Sequence, residues 1–305
     1  MRAEGLDAFI VPRADAHQGE YVAPSDERLA WLTGFTGSAG FAVVTQDEAG
    51  VFVDGRYRLQ VRAQVATDVF TPVNWPETKP GKWLAERVEK GARIGFDPWL
   101  HTMGEITRIR EDLGDGLELL PCINLVNRIW TDRPAPPVTP AFAHPIEFAG
   151  ETSGDKRERM AKVLQENGES AVVITLPDSI CWLLNIRGND VARNPIVHAF
   201  AILHASGRVS LFGALEKFED LGPDPAIDVA PPEEFAAALT ALTGRVRVDR
   251  GTAPVAVSER LKSAGVDVSW GDDPCILAKA CKNAAELAGL REAHMRDGAA
   301  MVRFL

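Results

Sequence analysis

"RLAWLTGF", residues 28–35, returns in outline as "SICWLLNI", residues 179–186, with Trp31 and Trp182 separated by 151 positions. One such match means little, but four more run in the same order. "DAFIVP" (7–12) and "SAVVITLP" (170–177) each read as a short apolar strand ended by proline. "GFAVVTQDEAGVFVDG" (40–55) and "AFAILHASGRVSLFGA" (199–214) each read as a β-hairpin with a Gly-containing turn. "RIGFD" (93–97) matches "RVRVD" (245–249) at offset 152, and "PCI" recurs at 121–123 and 274–276, offset 153. Five matches in one order predict a duplicated α/β unit.

Strand-like apolar runs alternate with helical stretches at 79–90 and 155–167, the pattern of an α/β layer fold with a mixed sheet and flanking helices. "TDRPAPPVTPAFAHP" (131–145) carries five prolines, which disfavour helix and sheet interiors and predict an extended linker. The tail has no counterpart to its own long helix. Asn283 followed by Glu286 is a capping-box start, and Leu287, Leu290, His294, Gly298, Met301 and Leu305 recur at steps of three and four. That stripe stays open to Leu305 with no Gly, Asn or Pro stop, so the tail reads as the start of a third element. The expected boundaries are 1–130, 131–271 and 272–305.

A chain of 305 residues has room for two domains, and 46% hydrophobic with 25% charged residues is an ordinary globular composition. A net charge of −10 argues against a nucleic-acid or anionic-membrane surface. No window approaches the ~18 apolar residues of a membrane span, and the first residues lack a signal-peptide pattern. Four cysteines are too few for a disulfide scaffold and suggest a reducing, cytoplasmic setting. Cys275 and Cys281 are expected to be structural thiols. No two of the six histidines sit three or four apart, so no helix-borne metal pair exists, and His294 on its stripe reads as a packing residue.

"GFTGSAGF" (34–41) has neither the dinucleotide fingerprint nor a P-loop lysine, and it precedes a strand. Its glycines are expected to serve a tight turn with close backbone approach. "LLNIRGNDVARNP" (183–195) sets Arg187, Asp190 and Arg193 after an apolar run, as an ion-pair cluster at the mouth of a sheet. In "VDGRY" (53–57), Arg56 follows a strand and a Gly turn, where it can pair with Asp54 or reach a ligand. The residues alone predict no catalytic constellation.

Five stretches together carry a resemblance: "DAHQGEYVAPSDERLAWLTGFTGSAGFAVV" (15–44), "FVDGRYRLQV" (52–61), "NRIWTDRP" (127–134), "WLLNIRGNDVARNP" (182–195) and "ILAKACKNAAELAGLREAHMRDGAAMVRFL" (276–305). They closely resemble the three-domain, cytosolic-type Xaa-Pro aminopeptidases of the creatinase and aminopeptidase P group. The resemblance implies two similar creatinase-like N-terminal domains followed by a pita-bread catalytic domain, whose first helix would be the tail. It implies removal of the N-terminal residue from peptides with proline second, using two divalent metals, manganese, to lower the pKa of a bridging water. The metal ligands of the family, two Asp, one His and two Glu, would lie beyond Leu305, so the chain itself is expected to hold no cofactor and no catalytic residue. The arginine of the D-G-R-Y motif, here Arg56, would contact substrate. Proline-containing peptides are the implied partners, with a homodimeric parent and a monomeric fragment. The alternative is a stand-alone creatinase-like module serving in binding or assembly.

Overall fold

The computed structural model describes residues 1–305 and divides into two compact units, Met1–Pro137 with Arg250–Glu259, and Val138–Asp249 with Arg260–Leu305. In the first, strands β1 (Ala8–Pro12), β2 (Phe41–Thr45), β3 (Ala49–Val53), β4 (Phe70–Asn74), β5 (Arg93–Phe96) and β6 (Glu118–Pro121) form one sheet in the order β4-β3-β2-β1-β5-β6. β2 runs antiparallel to both β1 and β3, while the β3–β4, β1–β5 and β5–β6 pairs are parallel. Alternation sorts β1 between two cores. Ala8 and Ile10 face the cluster of Phe52, Trp83, Ile94, Phe96 and Ile106. Phe9 and Val11 face Leu29, Phe35, Val51, Val61 and Trp130.

The second unit opens with β7 (Phe142–Ala143), which pairs antiparallel with β9 (Ile186–Arg187) in a two-stranded ribbon. Its main sheet holds β8 (Ala171–Ile174), β10 (Phe200–His204), β11 (Val209–Phe212), β12 (Ile227–Ala230), β13 (Arg245–Val248) and β14 (Asp267–Trp270), in the order β12-β11-β10-β8-β13-β14. Order and strand directions repeat those of the first sheet pair by pair. The mixed α/β fold with two like units is therefore as the repeats predict.

Register shows which repeats are equivalent residue by residue. The tryptophans are: Trp31 lies on helix Arg28–Thr33 and Trp182 on helix Pro177–Leu184, each three residues before a left-handed cap, Gly34 (φ 79°) and Asn185 (φ 51°). Asparagine can take that conformation because its side chain is held, Oδ1 accepting from Lys156 Nζ at 2.7 Å and Nδ2 donating to Glu151 O at 2.8 Å. "PCI" is not equivalent. Pro121 pairs with Phe96 at the end of β6, and the matching partner of Val248 is Trp270, whereas Pro274 opens helix Pro274–Ala280. Likewise Pro12 ends β1, but Pro177 begins a helix. The real echo at this edge is a pair of caps. Asp97 accepts from Asn124, which caps helix Leu125–Ile129, and Asp249 accepts from the backbone of Asp273, which caps Pro274–Ala280.

Both hairpins form, but only the second turns on a glycine, Gly207 (φ 82°). The first turns on Thr45, whose hydroxyl oxygen accepts from Glu48 N at 3.0 Å. Gly50 sits inside β3, where a Cβ would come 3.1 Å from the Trp83 ring. The helical stretch at 79–90 shortens to Pro80–Ala85, and Ser153–Glu166 matches the second expectation. Part of the proline-rich stretch is pinned rather than free: Thr139 N donates to Asp190 Oδ1 and Ala141 N to Lys217 O. In the tail, helix Ala284–Phe304 opens with the full capping box, Glu286 N to Asn283 Oδ1 at 3.0 Å and Asn283 N to Glu286 Oε2 at 2.9 Å. Its stripe is uncovered: Leu287, Leu290, Met301 and Leu305 are all exposed. His294 is exposed with them, so within residues 1–305 it is not buried as a packing residue would be. No helix is long and apolar enough to cross a membrane.

Candidate functional site

The loops after β1 and β3 and the loop before β2 meet at one end of these strands, because β2 runs against its neighbours. The glycines of residues 34–41 act as backbone spacers. A Cβ on Gly37 would fall 2.2 Å from the Phe35 ring, and one on Gly40 2.9 Å from Phe52 O. That packing carries Ser38 to Tyr57, with which it shares a 2.6 Å hydrogen bond. The bond from Ser38 lowers the Tyr57 hydroxyl from its ordinary value.

Tyr57 closes the short 3₁₀ turn Gly55–Tyr57, whose N-cap is Asp54. Asp54 Oδ1 accepts from Arg56 N at 2.9 Å. The same carboxylate takes the Arg56 side chain, from Nε at 3.1 and 3.3 Å and from Nη2 at 2.8 Å. The Arg56 guanidinium lies 5.0 Å from the centre of the Tyr57 ring. These bonds hold Asp54 below the usual carboxylate range and raise Arg56, to which Glu20 adds a weaker attraction. With the side chain 64% exposed and Nη1 making no hydrogen bond within the chain, the arginine is both held and presented. Both alternatives for Arg56 read from the residues thus remain compatible: it pairs with Asp54, and it keeps donors free.

The Arg187, Asp190 and Arg193 group is not one ion-pair cluster. Asp190 pairs with Lys217 at 2.7 Å, both side chains buried, and also accepts from His198 N at 2.7 Å. Arg187 donates to Cys181 O and Ile186 O, and burial lowers its pKa. Arg193 is exposed in a left-handed backbone conformation (φ 64°). Nothing local in residues 183–195 points to Lys217, 27 positions beyond Asp190. Only the repeat could have suggested it, since Lys217 stands in its turn where Tyr57 stands in the first unit. Lys156 was missed too. It is buried, bonded to Trp182 O and Asn185, with its Nζ 4.6 Å from the Trp182 ring, and burial lowers its pKa.

The second unit also holds an open groove of about 610 Å³, lined by His144, Trp182, Arg187, Lys282, Glu286 and Leu290 among others. No three His, Cys, Asp or Glu side chains converge to hold a metal. The residues present therefore do not fit a dinuclear centre, and no chemical step is assigned through one.

Two like domains, each a six-stranded mixed sheet with helices and a turn that projects from its third strand, define a class, and the comparisons agree. Residues 1–129 and residues 132–286 each match a family described as Creatinase/Prolidase N-terminal domain. The chain belongs to that family.

Among curated proteins, the whole chain is 34% identical over 329 aligned positions to "Probable Xaa-Pro aminopeptidase P" of Talaromyces stipitatus, covering 49% of it. With Aminopeptidase P2 of Arabidopsis thaliana the identity is 32%, over 98% of this chain and 48% of that one. The chain thus spans about half the length of the curated relatives it matches, aligning with their N-terminal part. The X-prolyl aminopeptidase from Caenorhabditis elegans, a cytosolic enzyme with a di-nuclear active site, superposes with a TM-score of 0.88 at 30% identity, over 98% of this chain and 51% of its own.

Proposed function

We propose that residues 1–305 are the N-terminal part of a cytosolic Xaa-Pro aminopeptidase, a metal-dependent hydrolase that removes the N-terminal residue from peptides with proline in second position. The superposition over both domains at a TM-score of 0.88 carries this reading, together with the coverage of only about half of each relative. In it, residues 272–305 begin the catalytic domain, the two creatinase-like domains shape access to substrate, and Arg56 supplies a substrate contact. The chemistry asks for such contacts. The scissile bond ends on proline's tertiary nitrogen, which has no N–H to donate, so a binding site must grip neighbouring carbonyls instead. A guanidinium with fixed planar donors suits that task.

The test is expression of the full reading frame beside residues 1–305 alone, with release of the first residue of an Xaa-Pro-Xaa peptide measured in manganese. The longer polypeptide is expected to turn over, and residues 1–305 are expected neither to do so nor to bind manganese stoichiometrically by calorimetry. Turnover by residues 1–305 alone would overturn the reading. A reading frame that encodes nothing further would favour a binding or assembly module. In the full-length enzyme, Arg56→Lys keeps the charge and loses the planar fork, with an expected loss of roughly ten- to a hundredfold in kcat/KM. Arg56→Ala loses at least as much, while melting temperature and metal content stay at wild-type values.

A further inference from the structure

The duplication supplies an internal control for the turn that carries Arg56. Leu215–Lys217 follows β11 as Gly55–Tyr57 follows β3, and both are 3₁₀ turns. The third residue of each reaches the loop before the first strand of its hairpin: Tyr57 meets Ser38, and Lys217 meets Asp190 and His198 O. At the capping position, however, Ala214 stands where Asp54 does and offers no side-chain bond, and Glu216 takes the place of Arg56. This turn therefore forms without an acid at its cap. What Asp54 adds in the first unit is its grip on Arg56.

We propose that Asp54 is a positioning residue that aims Arg56 at a main-chain carbonyl of the peptide substrate, an inference that rests on the substrate-contact reading of Arg56. Asp54 occupies Nε and Nη2, one of the two edges of the guanidinium that can grip a carboxylate with two parallel bonds. The Tyr57 ring restricts the guanidinium further. The donors left over lie at the Nη1 end. The Asp54 carboxylate bonded to it at 2.8 Å already offsets part of its charge. A second carboxylate gains little at such a group, whereas a neutral carbonyl still accepts a well-oriented N–H. Arg56 in this arrangement does not select for a free C-terminus.

The experiment uses the full-length enzyme and two substrates, an Xaa-Pro-Xaa peptide as the free acid and as its C-terminal amide. Asp54→Ala, which installs the residue of the second unit, is expected to raise KM for the amide about five- to tenfold with kcat little changed. The rise for the free acid is smaller, because the released fork can grip its carboxylate. On an Arg56→Ala background, Asp54→Ala is expected to add nothing, the sign that it acts through the arginine. Asp54→Ala with wild-type KM on both substrates, while Arg56→Ala is impaired, would overturn the positioning role and leave the contact. A lowered melting temperature with unchanged KM would make Asp54 a plain structural cap and likewise overturn it. Wild-type kinetics in Arg56→Ala would instead sink the contact reading itself.

Discussion

Single residues show how differently the two units use charge. Arg56, its side chain 64% exposed, pairs with Asp54 at the surface, and pairs of that kind are worth little to stability. Asp190 and Lys217 are the opposite case, with side chains 0% and 3% exposed. Removing one partner strands the other, at a cost of roughly 3–5 kcal/mol. Lys217→Met should therefore lower the urea midpoint of the second unit sharply, and a midpoint near wild type would show that His198 N and Thr139 N suffice for Asp190. Asp273 makes a pH prediction. Burial pushes its carboxyl above the ordinary 3.8, with the charge of Asp249 adding to the effect. A raised folded value means that the native state binds more protons, so this group's contribution to stability falls as pH rises from 3.8 through the raised value. Asp273→Asn keeps an oxygen for the Cys275 N–H and cannot ionise. The difference in unfolding free energy between variant and wild type should grow in the variant's favour across that window, and a pH-independent difference would refute the assignment.

At the scale of elements, the helix Ala284–Phe304 shows how local signals can make a helix that packing does not cover. Its first turn is secured by the capping box and by Asn283 Nδ2 donating to Ala149 O at 2.8 Å. Beyond it, Met295, Val302 and Phe304 are 77%, 76% and 85% exposed. Burying a side chain of this type contributes roughly 1.5–3 kcal/mol, and here that contribution is missing. Amide exchange should be fastest among the long elements in the last three turns of this helix, slowing toward Glu286. Protection there equal to that of β8 in a proven monomer would contradict the exposure. Asn283→Ala removes the cap, at about 1 kcal/mol of helix stability, and should spread the fast exchange into the first turn.

For the whole molecule, the division between units does not follow the chain. Arg250–Glu259 belongs with Met1–Pro137, and Val255, 2% exposed, lies in the core with Ile94, Phe96 and Ile106. Val255 N donates to His101 O at 2.8 Å, and Gly104 N donates to Arg250 O at 2.9 Å. A fragment that stops at Pro137 loses those contacts. Val255→Ala in the intact chain should destabilise the first unit by about 1.5–3 kcal/mol in denaturant unfolding, and a change below about 0.5 kcal/mol would show that the segment is dispensable.

What the sequence determined by itself is what neighbours along the chain control. Alternation in β1, the αL cap at Gly34, the capping box at Asn283 and Glu286, and the reach of Arg56 to Asp54 each depend on residues within about four positions. The ordered repeats added the duplication, because two copies of one unit keep the same local pattern. Tertiary structure alone decided the rest. Trp31 and Trp182 hold one position in the repeat, yet Trp31 is 39% exposed and stacks on Trp130 at 5.4 Å, while Trp182 is 5% exposed over Lys156. "PCI" matched as text and failed as structure, since register is set by strand pairing and not by letters. The partner of Asp190, the return of Val255 to the first core and the bare stripe of the last helix share one cause. Burial is decided by which distant surfaces the assembled sheets bring together, and no window of sequence contains both sides of such a contact.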